Sequence, residues 1–128
     1  MTARGTFDVR VTPQPAESAG GPFSRVFLDK QYHGDLAGTG AGQMLGYETA
    51  MPGSAGYVAL EWITGTLNGR RGSFVIQHAG HMARGAMTMT ATVIPDSGTD
   101  ELAGIAGKLT ISIAEGKHSY VLEYALGK

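Results

Sequence analysis

The chain contains no cysteine, which removes disulfides and thiolate chemistry from consideration at once. It also lacks any run of about 18 apolar residues, so no helical membrane span is expected. Its first residues, Met1-Thr-Ala-Arg-Gly-Thr-Phe7, do not form the apolar core of a secretory leader. Charge is scarce and balanced, with 16% charged residues and a formal net charge of −1. Nucleic acid is therefore not expected as a partner, because phosphate binding needs a basic surface. A cytoplasmic protein without membrane or nucleic-acid contacts is the default expectation.

What the chain does have is glycine, 20 of its 128 residues. The glycines are interleaved with valine, threonine and aromatics instead of forming a low-complexity tract. That distribution punctuates short strands and lets barrel strands bend. With 42% hydrophobic residues, the length suits one domain with a real core.

Apolar alternation predicts strands over Thr6–Thr12, Phe23–Gly34, Ala41–Thr49, Ala86–Ile94, Leu109–Ala114 and Ser119–Ala125, besides the central pair described below. Glu17 to Pro22 is expected as a loop, and Gly34 to Gly40 as a turn. Pro95 to Glu101 is polar and turn-rich, with Thr99 or Asp100 placed to cap one helical turn over Glu101–Ile105. No longer stretch carries a helical period with caps. Eight strands and almost no helix predict an all-β fold, a closed eight-stranded antiparallel barrel in a single domain over residues 1–128, because closure removes exposed edges. Such a barrel is either filled by side chains or holds one small ligand.

The strongest local signal is Asn68-Gly69, flanked by Tyr57–Leu67 and Arg70–His78. Asn-Gly between two β-type runs predicts a tight hairpin. A two-residue turn pairs Leu67 with Arg70, Glu61 with Ile76 and Ala59 with His78. One face then carries Tyr57, Ala59, Glu61, Ile63, Phe74, Ile76 and His78, and the other Val58, Leu60, Trp62, Thr64, Ser73, Val75 and Gln77. The first face, with its bulkier apolar mix and single acid, is taken as interior. The opposite assignment would put Trp62 and Gln77 inside. Leu60, Trp62 and Val75 then form an outer patch suited to a second subunit.

A glutamate inside a barrel must be hydrogen-bonded or neutral. Desolvation is expected to raise the pKa of Glu61 and fit it for general acid or base work, with His78 as its proton partner. The structural alternative is a Glu61 that points to solvent or pairs with an arginine. His78 and His81 have a His-x-x-His spacing, but mobile surface histidines across a glycine turn are the simpler reading, and no metal site or cofactor is expected. His33 and His118 need no special explanation at strand ends. Gly38-Thr-Gly40-Ala-Gly42 has no following helix or Lys-Ser/Thr to make a phosphate loop, and reads as a strand bend. No serine has a nucleophile-elbow context.

The segments Gly34–Gly40, Ala59-Leu-Glu61, Gly72–His78 and Val93–Gly107, with its Pro-x-Ser-Gly-Thr-x-Glu-Leu-x-Gly-x-x-Gly run, resemble a bacterial domain-of-unknown-function family of small proteins. The resemblance covers nearly the whole chain. It implies a barrel similar in fold to allene oxide cyclase, often oligomeric, in a group whose cyclases enclose an apolar substrate. The chain departs from the pattern at Trp62, usually polar and outward, and at Ala91, often tryptophan. The expected function is capture of a small, largely apolar molecule, with possible isomerase or cyclase chemistry at Glu61 and His78. Tyr32, Tyr47, Phe74, Ile76, Met87 and Met89 are the expected lining. The rival readings are a non-catalytic carrier or sensor, and a structural barrel with a filled core.

Overall fold

Alternating sequences of this kind bury one face of each strand, and here they close into a ring. The computed structural model describes residues 1–15 and 21–127, so the loop expected over Glu17 to Pro22 lies mostly outside the described residues. The strands are β1 (Thr2–Pro13), β2 (Ser24–Gly34), β3 (Leu36–Glu48), β4 (Ala55–Leu67), β5 (Arg70–Ala83), β6 (Ala86–Val93), β7 (Ala106–Ala114) and β8 (Lys117–Ala125). They form a closed antiparallel barrel in chain order. One 3-10 turn, Asp100–Leu102, precedes β7. Among the described residues no helix is long and apolar enough to cross a membrane.

The central hairpin sets the register. Asn68 and Gly69 both adopt positive φ, 46° and 86°, as the mirror-image turn of a two-residue hairpin requires. Leu67 pairs with Arg70, Glu61 with Ile76 and Ala59 with His78. The face carrying Glu61, Ile63, Phe74 and Ile76 is the interior, all four being fully buried. Trp62 faces out and is 56% exposed.

Two segments differ from the sequence expectation. The third strand begins at Leu36 instead of Ala41, because Gly34 alone, at φ 106°, supplies the left-handed residue that reverses the chain. β5 continues past His78 to Ala83, so His78 and His81 stand on one strand instead of straddling a turn. Three residues apart on a strand, they point to opposite faces.

Two devices hold the closed end. The phenol of Tyr120 on β8 accepts a hydrogen bond from the Leu36 amide at 2.9 Å and lies 3.0 Å from the carbonyl oxygens of His33 and Leu36. It thereby fastens β8 to the β2–β3 turn. The second device explains the Pro-x-Ser-Gly-Thr-x-Glu run. Pairing of β5 with β6 ends at Ile76 and Val93, leaving the first half of β5 without that neighbour. Ser97 Oγ accepts from the Val75 amide, Thr99 Oγ1 from Ser73 and Glu101 Oε1 from Arg71, each at 3.0 Å. Every second amide is thus satisfied by a side chain where a strand would have done it. Thr99 Oγ1 also lies 2.7 Å from Ser73 Oγ. A Thr99→Val variant is therefore expected to lose about 1–3 kcal/mol in urea unfolding; a loss under about 0.5 kcal/mol would show that water replaces the hydroxyl freely.

The other end stays open. β6 and β7 share the single pair Thr92–Lys108, so the wall parts between them towards the rim. Inward-facing Val11, Met87 and Ile113 are 50%, 58% and 67% exposed there.

Candidate functional site

β3 turns Gly38, Gly40 and Gly42 to the interior, and the side chains they lack leave room for those of β2 and β4 to meet across it. A Cβ at Gly40 would collide with Glu61 Oε2 and come within 3.1 Å of the Tyr32 ring. The glycine run expected as a strand bend therefore also makes space for Glu61. Into that space β2 contributes Lys30 and Tyr32, β4 contributes Glu61, and β5 contributes His78.

Glu61 is fully buried, and Lys30, Tyr32 and His78 are nearly so. Its Oε1 accepts from Lys30 Nζ at 3.0 Å and lies 2.9 Å from His78 Nε2. Its Oε2 accepts from the Tyr32 hydroxyl at 2.5 Å. Burial alone pushes the Glu61 carboxyl up. The His78 hydrogen bond, the Lys30 charge and the Tyr32 and Lys30 hydrogen bonds outweigh it, and its pKa falls below the ordinary value of 4.5. This corrects the sequence expectation: desolvation is present, but three donors hold the acid ionised. Tyr32 moves the other way, its phenol pushed far up by burial and then by the Glu61 charge, so it stays a neutral donor.

An ionised carboxylate only accepts, so His78 Nε2 carries the hydrogen in that bond. The other ring nitrogen, Nδ1, takes no part in it. No buried side-chain nitrogen or oxygen among the described residues lacks a partner. Lys30 Nζ lies 4.7 Å from the centre of the Phe7 ring, a cation–π distance. The ring of His118, which faces inward, lies 5.1 Å from that of Phe7, tilted by 42°. Lys30 and Glu61 cancel in charge.

The model of the family described as "Protein of unknown function (DUF3224)" matches residues 3–124. The chain belongs to the DUF3224 family. A solved DUF3224 structure from Shewanella oneidensis MR-1, described as a protein with unknown function, is 41% identical, with a TM-score of 0.93 over 100% of this chain and 98% of that one. No curated protein matches.

Of the residues expected at the site in this DUF3224 chain, Glu61 and His78 meet directly. Tyr32 joins them as a hydrogen-bond donor in the core instead of as lining. Phe74 and Ile76 are fully buried in the packed lower core, so they fill the barrel and do not line a cavity. Met87 and Met89 stand at the mouth. Met87 borders a cavity of about 180 Å³ there with Met44, Tyr57, Met82, Glu48 and His81. Tyr47 touches that cavity, but it belongs to the outward positions of β3, 44% exposed, with its ring edge-on to Phe23 at 6.1 Å. No group of three or more potential metal-ligating His, Cys, Asp or Glu side chains occurs among the described residues.

Lys30 was not among the sequence candidates. Its signal was parity: Val26, Leu28, Lys30 and Tyr32 share the apolar face of β2, and a lysine on such a face needs a buried partner. His118 stands at a strand end, as its place in the sequence predicts, yet the even positions of β8 point inward.

Outside the barrel, Leu45, Val58, Leu60 and Trp62 are each about half exposed. With Val75, Gln43 and Gln77 they border a groove of about 990 Å³.

Proposed function

We propose that this barrel binds a small, largely apolar molecule in its open mouth and carries out isomerase- or cyclase-type acid–base chemistry on it at the Glu61–His78 pair. The observation that carries this reading is the buried carboxylate–imidazole contact, 2.9 Å long, inside a barrel whose inward Val11, Met87 and Ile113 stand exposed at one end. A barrel filled only for stability has no need of it, since apolar packing replaces a buried ion pair at little or no loss. Confinement of a flexible molecule between rigid walls would itself lower the barrier to ring closure or rearrangement.

A carrier would use the same mouth without the chemistry. Native mass spectrometry of the purified protein tests for a co-purifying small molecule, and Glu61→Gln then separates the readings. Turnover of that molecule is expected to fall about 10²–10⁴-fold with binding retained. Unchanged turnover removes Glu61 from the mechanism, and a parent protein that binds but never converts the molecule is a carrier.

The outer patch supports a second proposal, self-association through Leu60, Trp62 and Val75. The groove contains no acidic residue except the inward Glu61, and a net charge of −1 sets little repulsion between copies. Leu60 and Trp62 stand more than half exposed on this face, apolar surface that a second copy would cover. Trp62→Glu is expected to shift the parent oligomer to monomer in light scattering at micromolar concentration. A parent that is already monomeric there refutes the proposal.

A further inference from the structure

We infer that the rim cavity at the open end binds a soft monovalent metal ion, copper(I), between the thioethers of Met44, Met82 and Met87. The site lies apart from Glu61 and His78 and does not rest on the reading of that pair.

The chain has no cysteine and six methionines, so thioether is its only sulfur donor. Strand alternation turns Met44 of β3, Met82 of β5 and Met87 of β6 to the inner face. All three border one cavity of about 180 Å³. Met82 and Met87 are direct cross-strand partners, and the Cβ atoms of such a pair lie about 4.5–5.5 Å apart. Methionine is unbranched and freely rotating, so two sulfurs at that spacing can turn to one point. β3 brings Met44 to the same cavity from two strands away. The Tyr57 ring lies over Gly80, where a Cβ would come within 2.6 Å of it. That puts the ring on the closed-end side of Met82, between the cavity and the lower core.

Charge separates an ion from an apolar guest. Glu48 borders the cavity, and no lysine or arginine among the described residues does. A neutral hydrocarbon gains nothing from that carboxylate, whereas one positive charge is matched by it. His81 also borders the cavity, but from an outward position of β5, so the inner donors are the three sulfurs. Donor softness then selects the metal. Thioethers favour copper(I), whereas zinc and harder ions take imidazole, thiolate and carboxylate sets. No group of three such side chains occurs among the described residues. Met87 is 58% exposed, and Met44 and Met82 are half-buried. The ion would therefore enter and leave from the rim, its oxidation state unchanged, as suits uptake and hand-over.

The test titrates the full chain, labelled at the methionine methyls, with copper(I) under nitrogen, and with silver(I) as a redox-inert substitute. The Met44, Met82 and Met87 methyl signals are expected to shift together and saturate at one ion per chain, with a Kd of about 10 μM or tighter. Zinc(II) should leave those three signals unmoved. Met82→Leu and Met44→Leu conserve volume, and each should weaken binding at least about tenfold, the least that losing a supporting group costs a metal site. Met51→Leu, at the same end but off the cavity, should change nothing. Glu48→Gln should weaken binding at low salt and leave it unchanged at high salt, where an exposed charge is screened. Amide spectra report folding in every variant, and if one leucine variant fails to fold the other decides. Undiminished binding in the folded leucine variants overturns the inference. So does a response that includes Met51 and never saturates, because the ion then meets surface sulfur only.

Discussion

Glu61→Ala is expected to destabilise the barrel by about 3–5 kcal/mol, the cost of leaving a buried charge without its partner. The charge left behind is Lys30, only 7% exposed and 3.0 Å from the deleted oxygen. Tyr32 and His78 lose their acceptor at the same time. Combining Glu61→Ala with Lys30→Met removes both charges, so the double variant is expected to be more stable than Glu61→Ala alone. Urea unfolding of the parent, both single variants and the double measures this coupling directly. Additive losses would mean that the pair is not acting as a unit. The pH dependence follows from the lowered pKa of Glu61. Its folded value lies below its unfolded one, so its contribution is complete above the ordinary carboxylate value of 4.5. The contribution fades as pH falls from there through the folded value. Glu61→Gln should flatten that part of the acid limb, and an unchanged limb would assign it to other carboxylates.

Phe74→Ala is the second large effect, with an expected loss of about 3–5 kcal/mol for a fully buried phenylalanine and a fall in Tm of about 10–20 °C. Phe74 is fully buried opposite Ile63 on the central hairpin, among the aliphatic side chains of the closed end. Had it lined a ligand cavity, truncation would enlarge that cavity at little cost. Thermal unfolding distinguishes the two, because a loss below about 1 kcal/mol is what a solvent-filled site would give. A loss of that size would mark the lower half of the barrel as filled and leave the open end for any ligand.

Much of this arrangement was legible from residue order. The Asn68-Gly69 turn and the period of two placed Glu61 and His78 on one face, and burial of the bulkier face identified it as the inner one. The same period put Trp62 outside. What could not be read was the company Glu61 keeps. Lys30 and Tyr32 are 31 and 29 residues away in sequence and on a strand that is not adjacent to β4. They reach Glu61 only because β3, lying between, presents glycines inward. The expectation of a raised pKa followed from burial alone and failed because burial and three donors act in opposite directions. The His78–His81 reading failed for a local reason: Ala79-Gly80 looked like a turn, but pairing with both β4 and β6 keeps that stretch extended.

The sequence by itself determined the all-β class, the eight strands, the central register and the side of the wall on which each hairpin residue lies. Those properties depend on alternation and on one turn, both local in the chain. Only the tertiary structure decided that the carboxylate is ionised, that a lysine neutralises it, and that Phe74 and Ile76 fill the barrel while the other end stands open. Each of those depends on how far the strands are staggered around the ring and where β6 and β7 part. Closure sets both, and no short stretch of sequence contains it.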